Sequence, residues 1–148
     1  MTTAESTAPR IVVGVDGSEG SKDALRWAKR IADATGSGID AVSAWEFTST
    51  YGWSGLPPYA PLLDVEKALT DTVDEVFGSE RPKDLELHAR QGSPAGVLIE
   101  ASGRAQMVVV GSRGRGGFTG MLLGSVSAKV VEHAQCPVTV VHSPKASA

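Results

Sequence analysis

The sequence is short of the groups that build most protein-made metal and redox sites, with one cysteine and three histidines in 148 residues. Cys136 alone cannot form a disulfide within the chain, and a site of several thiolates is excluded for a single copy. A reducing compartment is the simplest setting. His88, His133 and His142 stand far apart with no ligand spacing, so no protein-built metal site is expected. An excess of one charge is lacking too. Fourteen lysines and arginines face 17 acidic residues and leave a formal charge of −3. That balance is too mild for a nucleic-acid or membrane-surface partner. No stretch approaches the roughly 18 consecutive apolar residues of a spanning helix. The expectation is a soluble, cytoplasmic protein with neither nucleic acid nor membrane as partner.

Residues 1–9 are small and polar, without the cationic start or apolar stretch of a signal peptide, and are expected to form a loose tail. Residues 10–143 are expected to fold as one domain, the number that this length accommodates, with 144–148 as a second tail.

What the chain does have is alternation. Arg10 to Asp16 is a short β-branched run, the pattern of a strand buried on both faces. Ser18 can cap a helix whose apolar positions Leu25, Ala28, Ile31 and Ala32 share a face, and Gly36 stops it. Ile39 to Trp45 reads as a second strand. The glycines and prolines that follow, up to Pro61, predict a long loop. Val65, Leu69, Val73 and Val76 recur at helical spacing before Gly78, and Leu85 to Arg90 predicts strand three. Ser93 and Pro94 open helix three, which should reach about Gly103. Gln106 to Gly111, Ser125 to Ala134 and Pro137 to His142 predict strand, helix and strand. This order argues for an α/β fold: a doubly wound, Rossmann-like parallel sheet with helices on both faces and right-handed crossovers.

The most informative segment is the glycine-dense stretch from Gly111 to Ser125, between a buried strand and a helix. Glycine permits close approach and positive φ, so such a loop can turn several N–H groups toward one anion, and phosphate is the natural guest. Gly124 and Ser125 then stand at a helix start, where unsatisfied N–H groups and the positive dipole end favour negative charge. No lysine followed by Ser or Thr closes the loop as in a Walker A motif, and no G-x-G-x-x-G is present.

Gly111-x2-Gly114-x9-Gly124-Ser125 resembles the nucleotide motif of the universal stress protein family. So do Val-Gly-Val-Asp16-Gly-Ser after strand one and His133-Ala-Gln-Cys136-Pro137-Val before strand five. The resemblance covers nearly all of the chain outside the tails and the middle loop. It implies the ATP-binding branch, a five-stranded sheet of order 3-2-1-4-5, and Mg²⁺ arriving with the nucleotide. In such a sheet ligands bind where the strand order reverses, between strands one and four. The resemblance places Asp16 on the ribose hydroxyls or a phosphate-bound metal. Ala44 would face adenine through its backbone, with Gly14 and Val15 lining the same pocket. Gly111, Arg113, Gly114, Gly124, Ser125 and Val126 complete the candidate contacts.

Each of these has a plainer reading. Asp16 can cap its own turn, and Arg113 and Arg115 can be solvated rather than phosphate clamps. Cys136 reads as a small core residue. Tyr51, Trp53 and Tyr59 can cover a ligand or pack on the sheet. Strand five is an apolar edge, which the family pairs across a homodimer, here through residues 137–142. The leading expectation is an ATP-binding regulatory module. The alternatives are a slow ATPase or phosphotransferase, a cyclic-AMP binder, and a nucleotide-free interaction module.

Overall fold

Ile11, Val12 and Val13 are all buried in β1, Arg10–Gly14, because the strand is covered on both faces and successive side chains point to opposite ones. The computed structural model describes residues 8–46, 60–114 and 123–143. Ile11 and Val13 join a core with α1, Glu19–Thr35, and α2, Ala60–Phe77, through Leu25, Ala28, Leu69 and Val73. Val12 joins a second core with α3, Pro94–Ser102, and α4, Ser125–His133, through Leu98 and Val130. The same division runs through β4, Met107–Gly111, where Val109 faces the first core and Val108 and Val110 the second.

With β2, Gly38–Trp45, β3, Leu85–Gln91, and β5, Val138–Val141, these strands form one five-stranded sheet of order β3-β2-β1-β4-β5. Every pairing is parallel. Ile11 sits opposite Ile39 on one side and Met107 on the other. The expected α/β architecture and strand order are therefore what the chain adopts.

The helix boundaries follow local chemistry. Ser18 caps α1 by accepting from the Ser21 N–H, and Gly36, at φ 74°, closes it with its own N–H on the Ala32 carbonyl. Ser93 caps α3 by accepting from the Gly96 N–H, with Pro94 in the first turn.

Several expected ends move by a residue or two. Strand one stops at Gly14 rather than Asp16: the Val15 N–H still reaches the Val42 carbonyl, but Gly17 then turns the chain at φ 82°. The loop expected to reach Pro61 ends earlier, since α2 begins at Ala60 and proline is tolerated in a first turn where its missing N–H costs nothing. Pro9, placed in the tail, accepts the Gly38 N–H through its carbonyl. Residues 1–7 and 144–148 of the tails, with Tyr51, Trp53, Tyr59 and Arg115, lie outside the described residues. No described helix is long and apolar enough to cross a membrane.

Candidate functional site

The carboxyl ends of β1, β2 and β4 open into one crevice of about 740 Å³ at the point where the strand order reverses. Gly14, Val15, Asp16 and Ala44 line it from the strand ends. Gly111, Arg113 and Gly114 line it from the β4 loop, and Gly124, Ser125 and Val126 from the start of α4. The fold thus brings these ten candidate contact residues to one place.

Glycine is required here by space rather than by φ. A Cβ on Gly111 would stand 2.7 Å from the carbonyl carbon of Gly20, and one on Gly20 would stand 2.6 Å from the Arg113 carbonyl oxygen. The first turn of α1 therefore rests directly on the end of β4, backbone against backbone. A Cβ on Gly114 would run into the Asp16 carboxylate at Oδ2. That carboxylate and the glycine loop are in contact across the reversal point.

Asp16 also has a structural task. Its Oδ1 accepts the Ser18 N–H at 2.9 Å and the Ser18 hydroxyl, while the Ser18 hydroxyl oxygen accepts the Ser21 N–H. The carboxylate thereby holds the cap of α1 in place, as an Asx turn does. Ser43, buried at the end of β2, donates to the Val15 carbonyl at 2.7 Å and fixes the backbone beside Ala44.

The start of α4 is built differently from those of α1 and α3. Its N-cap is Gly124, which supplies no side-chain acceptor. The position is secured from below: the Gly124 N–H donates to the Ser112 carbonyl at 2.7 Å, and the buried Ser127 hydroxyl donates to the same oxygen at 2.9 Å. Among the described residues the first N–H groups of α4 meet no side-chain acceptor, and they stand at the positive end of the helix dipole. Arg113, half-buried beside them, makes no side-chain hydrogen bond or ion pair among the described residues.

Sequence reasoning missed a whole wall of the crevice. Lys22 of α1 and Asp71, Thr72 and Glu75 of α2 also line it. Nothing local announces them, because they ride on ordinary amphipathic helices and α2 reaches the site only through the crossover from β2. The sequence also gave no sign of a second polar cluster. Asp40 and His88 project from neighbouring strands beside Glu86, bringing ligand-type atoms within 4.8 Å of one another. Arg10 Nη2 lies 2.7 Å from Asp40 and 3.6 Å from Glu86, so this group is an ion-pair network around a cation the chain already supplies. Partial burial works against the charge of Arg10, but its hydrogen bonds to Asp40 and Asp84 outweigh this and raise its pKa. Cys136 packs at the margin of the α3/α4 core, where burial pushes its thiol pKa up against a smaller opposing effect of a backbone hydrogen bond at Val108.

The sequence model of the Universal stress protein family matches residues 8–142. A universal stress protein of Mycolicibacterium smegmatis is 38% identical over 136 residues, a match covering 88% of this chain and 45% of the relative. The chain spans a little under half the length of the curated relatives it matches. Among solved structures, a universal stress protein in complex with cAMP is similar at a TM-score of 0.65 and 29% identity, covering 93% of this chain and 98% of that one. The universal stress protein UspA from Lactobacillus plantarum shares the fold at a TM-score of 0.73 and 22% identity, covering 93% and 99%.

Proposed function

We propose, since this chain belongs to the universal stress protein family, that the crevice binds an adenine nucleotide, with ATP carried in together with Mg²⁺ as its ligand. The observation that carries this reading is the side-chain-free cap of α4 beside Gly111 and Gly114. A helix start without its own acceptor, next to a loop where a Cβ would collide with the facing backbone or carboxylate, fits a phosphate chain both sterically and electrostatically. The volume of about 740 Å³ suits a ligand of nucleotide size.

In this reading the phosphates lie on the N–H groups of α4, with the Ser125 hydroxyl and Arg113 donating to them. Asp16 accepts from the ribose hydroxyls, and adenine lies against the backbone of Val15 and Ala44. Mg²⁺, bound by the phosphates, supplies charge neutralisation. Binding is favoured over turnover because Asp16 is engaged in the α1 cap and Glu75 with Lys22. Neither stands uncommitted as a base. The relative solved with cAMP supports a second reading, in which the same crevice takes a cyclic monophosphate. We also propose a cytoplasmic homodimer through β5, an apolar edge strand.

Isothermal titration with ATP, ADP, AMP and cyclic AMP in the presence of Mg²⁺ tests this on the wild type and on Gly114→Ala and Ser125→Ala. Gly114→Ala should weaken binding of the preferred adenylate by about tenfold or more, a difference of about 1.4 kcal/mol, because its methyl displaces the Asp16 carboxylate. A folded wild type that binds none of the four refutes the proposal.

A further inference from the structure

Lys22 is the crevice residue with the strongest claim to a role that no motif announces. Its side chain is only 13% exposed, with Nζ 2.9 Å from Glu19 Oε2 and 2.6 Å from Glu75 Oε2. Glu19 belongs to its own helix, whereas Glu75 belongs to α2. The ammonium is thus an ionic tie between α1 and α2, made at the wall of the same crevice that Gly114 and Ser125 line. These helices also share an apolar contact through Leu25, Ala28, Leu69 and Val73. It holds the pair together but is indifferent to charge.

An ammonium has three donors, and its bonds to carboxylates depend on what other negative charge stands nearby. A polyphosphate entering the crevice brings several negative charges into a partly enclosed space, where Coulomb interactions are stronger than in bulk water. It competes with Glu75 for Lys22. We propose that Lys22 couples the charge of the bound ligand to the seating of α2: an anionic ligand draws the ammonium from Glu75, and Glu75 in turn restrains binding of such a ligand. The inference rests on the adenylate reading above and adds to it a charge-selecting residue and a route to the protein surface. Because coupling is reciprocal, whatever frees the Lys22 ammonium from Glu75 also tightens binding of a polyanion, whereas loss of the ammonium itself weakens it. Uncharged adenosine, which has nothing to offer the ammonium, is insensitive to the tie.

The test is a double-mutant cycle of wild type, Glu75→Gln, Lys22→Gln and the double variant, titrated with Mg-ATP and with adenosine. Glu75→Gln should tighten Mg-ATP about fivefold and Lys22→Gln weaken it about tenfold, with adenosine unchanged throughout. In the Lys22→Gln background, Glu75→Gln should have no further effect. Hydrogen exchange supplies a second readout: Mg-ATP should lower protection of α2 amides in the wild type but not in Lys22→Gln. Equal tightening by Glu75→Gln with and without Lys22 reduces the effect to general charge repulsion and overturns the coupling, as does no tightening at all. A folded wild type that binds Mg-ATP with additive variants removes only the coupling; one that binds neither ligand removes the adenylate reading and the coupling with it.

Discussion

Replacing Gly111 with alanine tests whether the backbone contact between α1 and β4 shapes the crevice. The new methyl carbon would stand 2.7 Å from the carbonyl carbon, 2.9 Å from the oxygen and 3.0 Å from the Cα of Gly20. Unstrained carbon contacts lie at roughly 3.5–4.0 Å, so the first turn of α1 and the end of β4 must separate by about 0.8 Å. All three obstructing atoms are backbone, and no rotamer change relieves them. Overpacking of this kind costs about 1–3 kcal/mol, offset by the roughly 0.4–1 kcal/mol that alanine contributes by restricting the unfolded chain. The net expectation is a loss of about 1–2 kcal/mol, a fall in Tm of roughly 2–8 °C for a domain of this size. Urea denaturation followed by circular dichroism measures the stability, and calorimetric titration with Mg-ATP measures the site. Gly36→Ala is the control: nothing lies within 4 Å of its added Cβ, and its φ of +74° makes the cost one of local strain alone, about 1 kcal/mol, with ligand affinity unchanged. A Gly111→Ala protein as stable as the wild type would refute the steric argument. One destabilised as expected but with intact affinity would separate the contact from the site.

The two roles of Asp16 are separable by a pair of substitutions. Asp16→Asn keeps an oxygen for the Ser18 N–H and should lie within about 0.5 kcal/mol of the wild type in urea, while losing about tenfold in adenylate affinity. Asp16→Ala should show the same affinity loss plus about 1 kcal/mol of destabilisation from the weakened α1 cap; equal stability of the two variants would contradict the capping role. For Cys136, a pKa raised chiefly by burial means less thiolate in the folded protein at any pH below that value. Alkylation by iodoacetamide at pH 8 should therefore be several-fold slower in the native protein than in urea. The sign for stability is the same: the protonated thiol favours the native state below the unfolded pKa, and this contribution disappears as pH rises through the folded value. Equal alkylation rates would remove the burial argument.

The elements were legible where backbone chemistry is local. Ser18 and Gly36 marked both ends of α1, and Ser93 with Pro94 marked the start of α3, because caps depend on a few adjacent atoms. The β-branched runs of β1 and β4 announced strands covered on both faces. The part of the crevice built from Gly111 and Gly114 was legible for a related reason, since glycines where a Cβ would collide leave a mark in the sequence; Asp16 was placed there by the family resemblance. The wall from α1 and α2 was not legible. Lys22, Thr72 and Glu75 meet the site only after two crossovers stack α1 and α2 on one face of the sheet, and each looks locally like any polar position of an amphipathic helix. The contact of Ser43 with the Val15 carbonyl was hidden likewise, since strand periodicity says which face a residue takes and nothing of the atom it meets across the sheet.

The glycine at the start of α4 has a consequence for the life of the protein. A helix that provides its own acceptor is equally sound full or empty; one with glycine at that position is weaker by roughly a few tenths of a kcal/mol until something else occupies it. Any ligand that binds there stabilises the native state in proportion to the logarithm of its concentration over its dissociation constant. Resistance to heat and to proteolysis then becomes a running record of ligand supply. In a protein so built, survival time itself can carry the signal, with no reaction needed at the site.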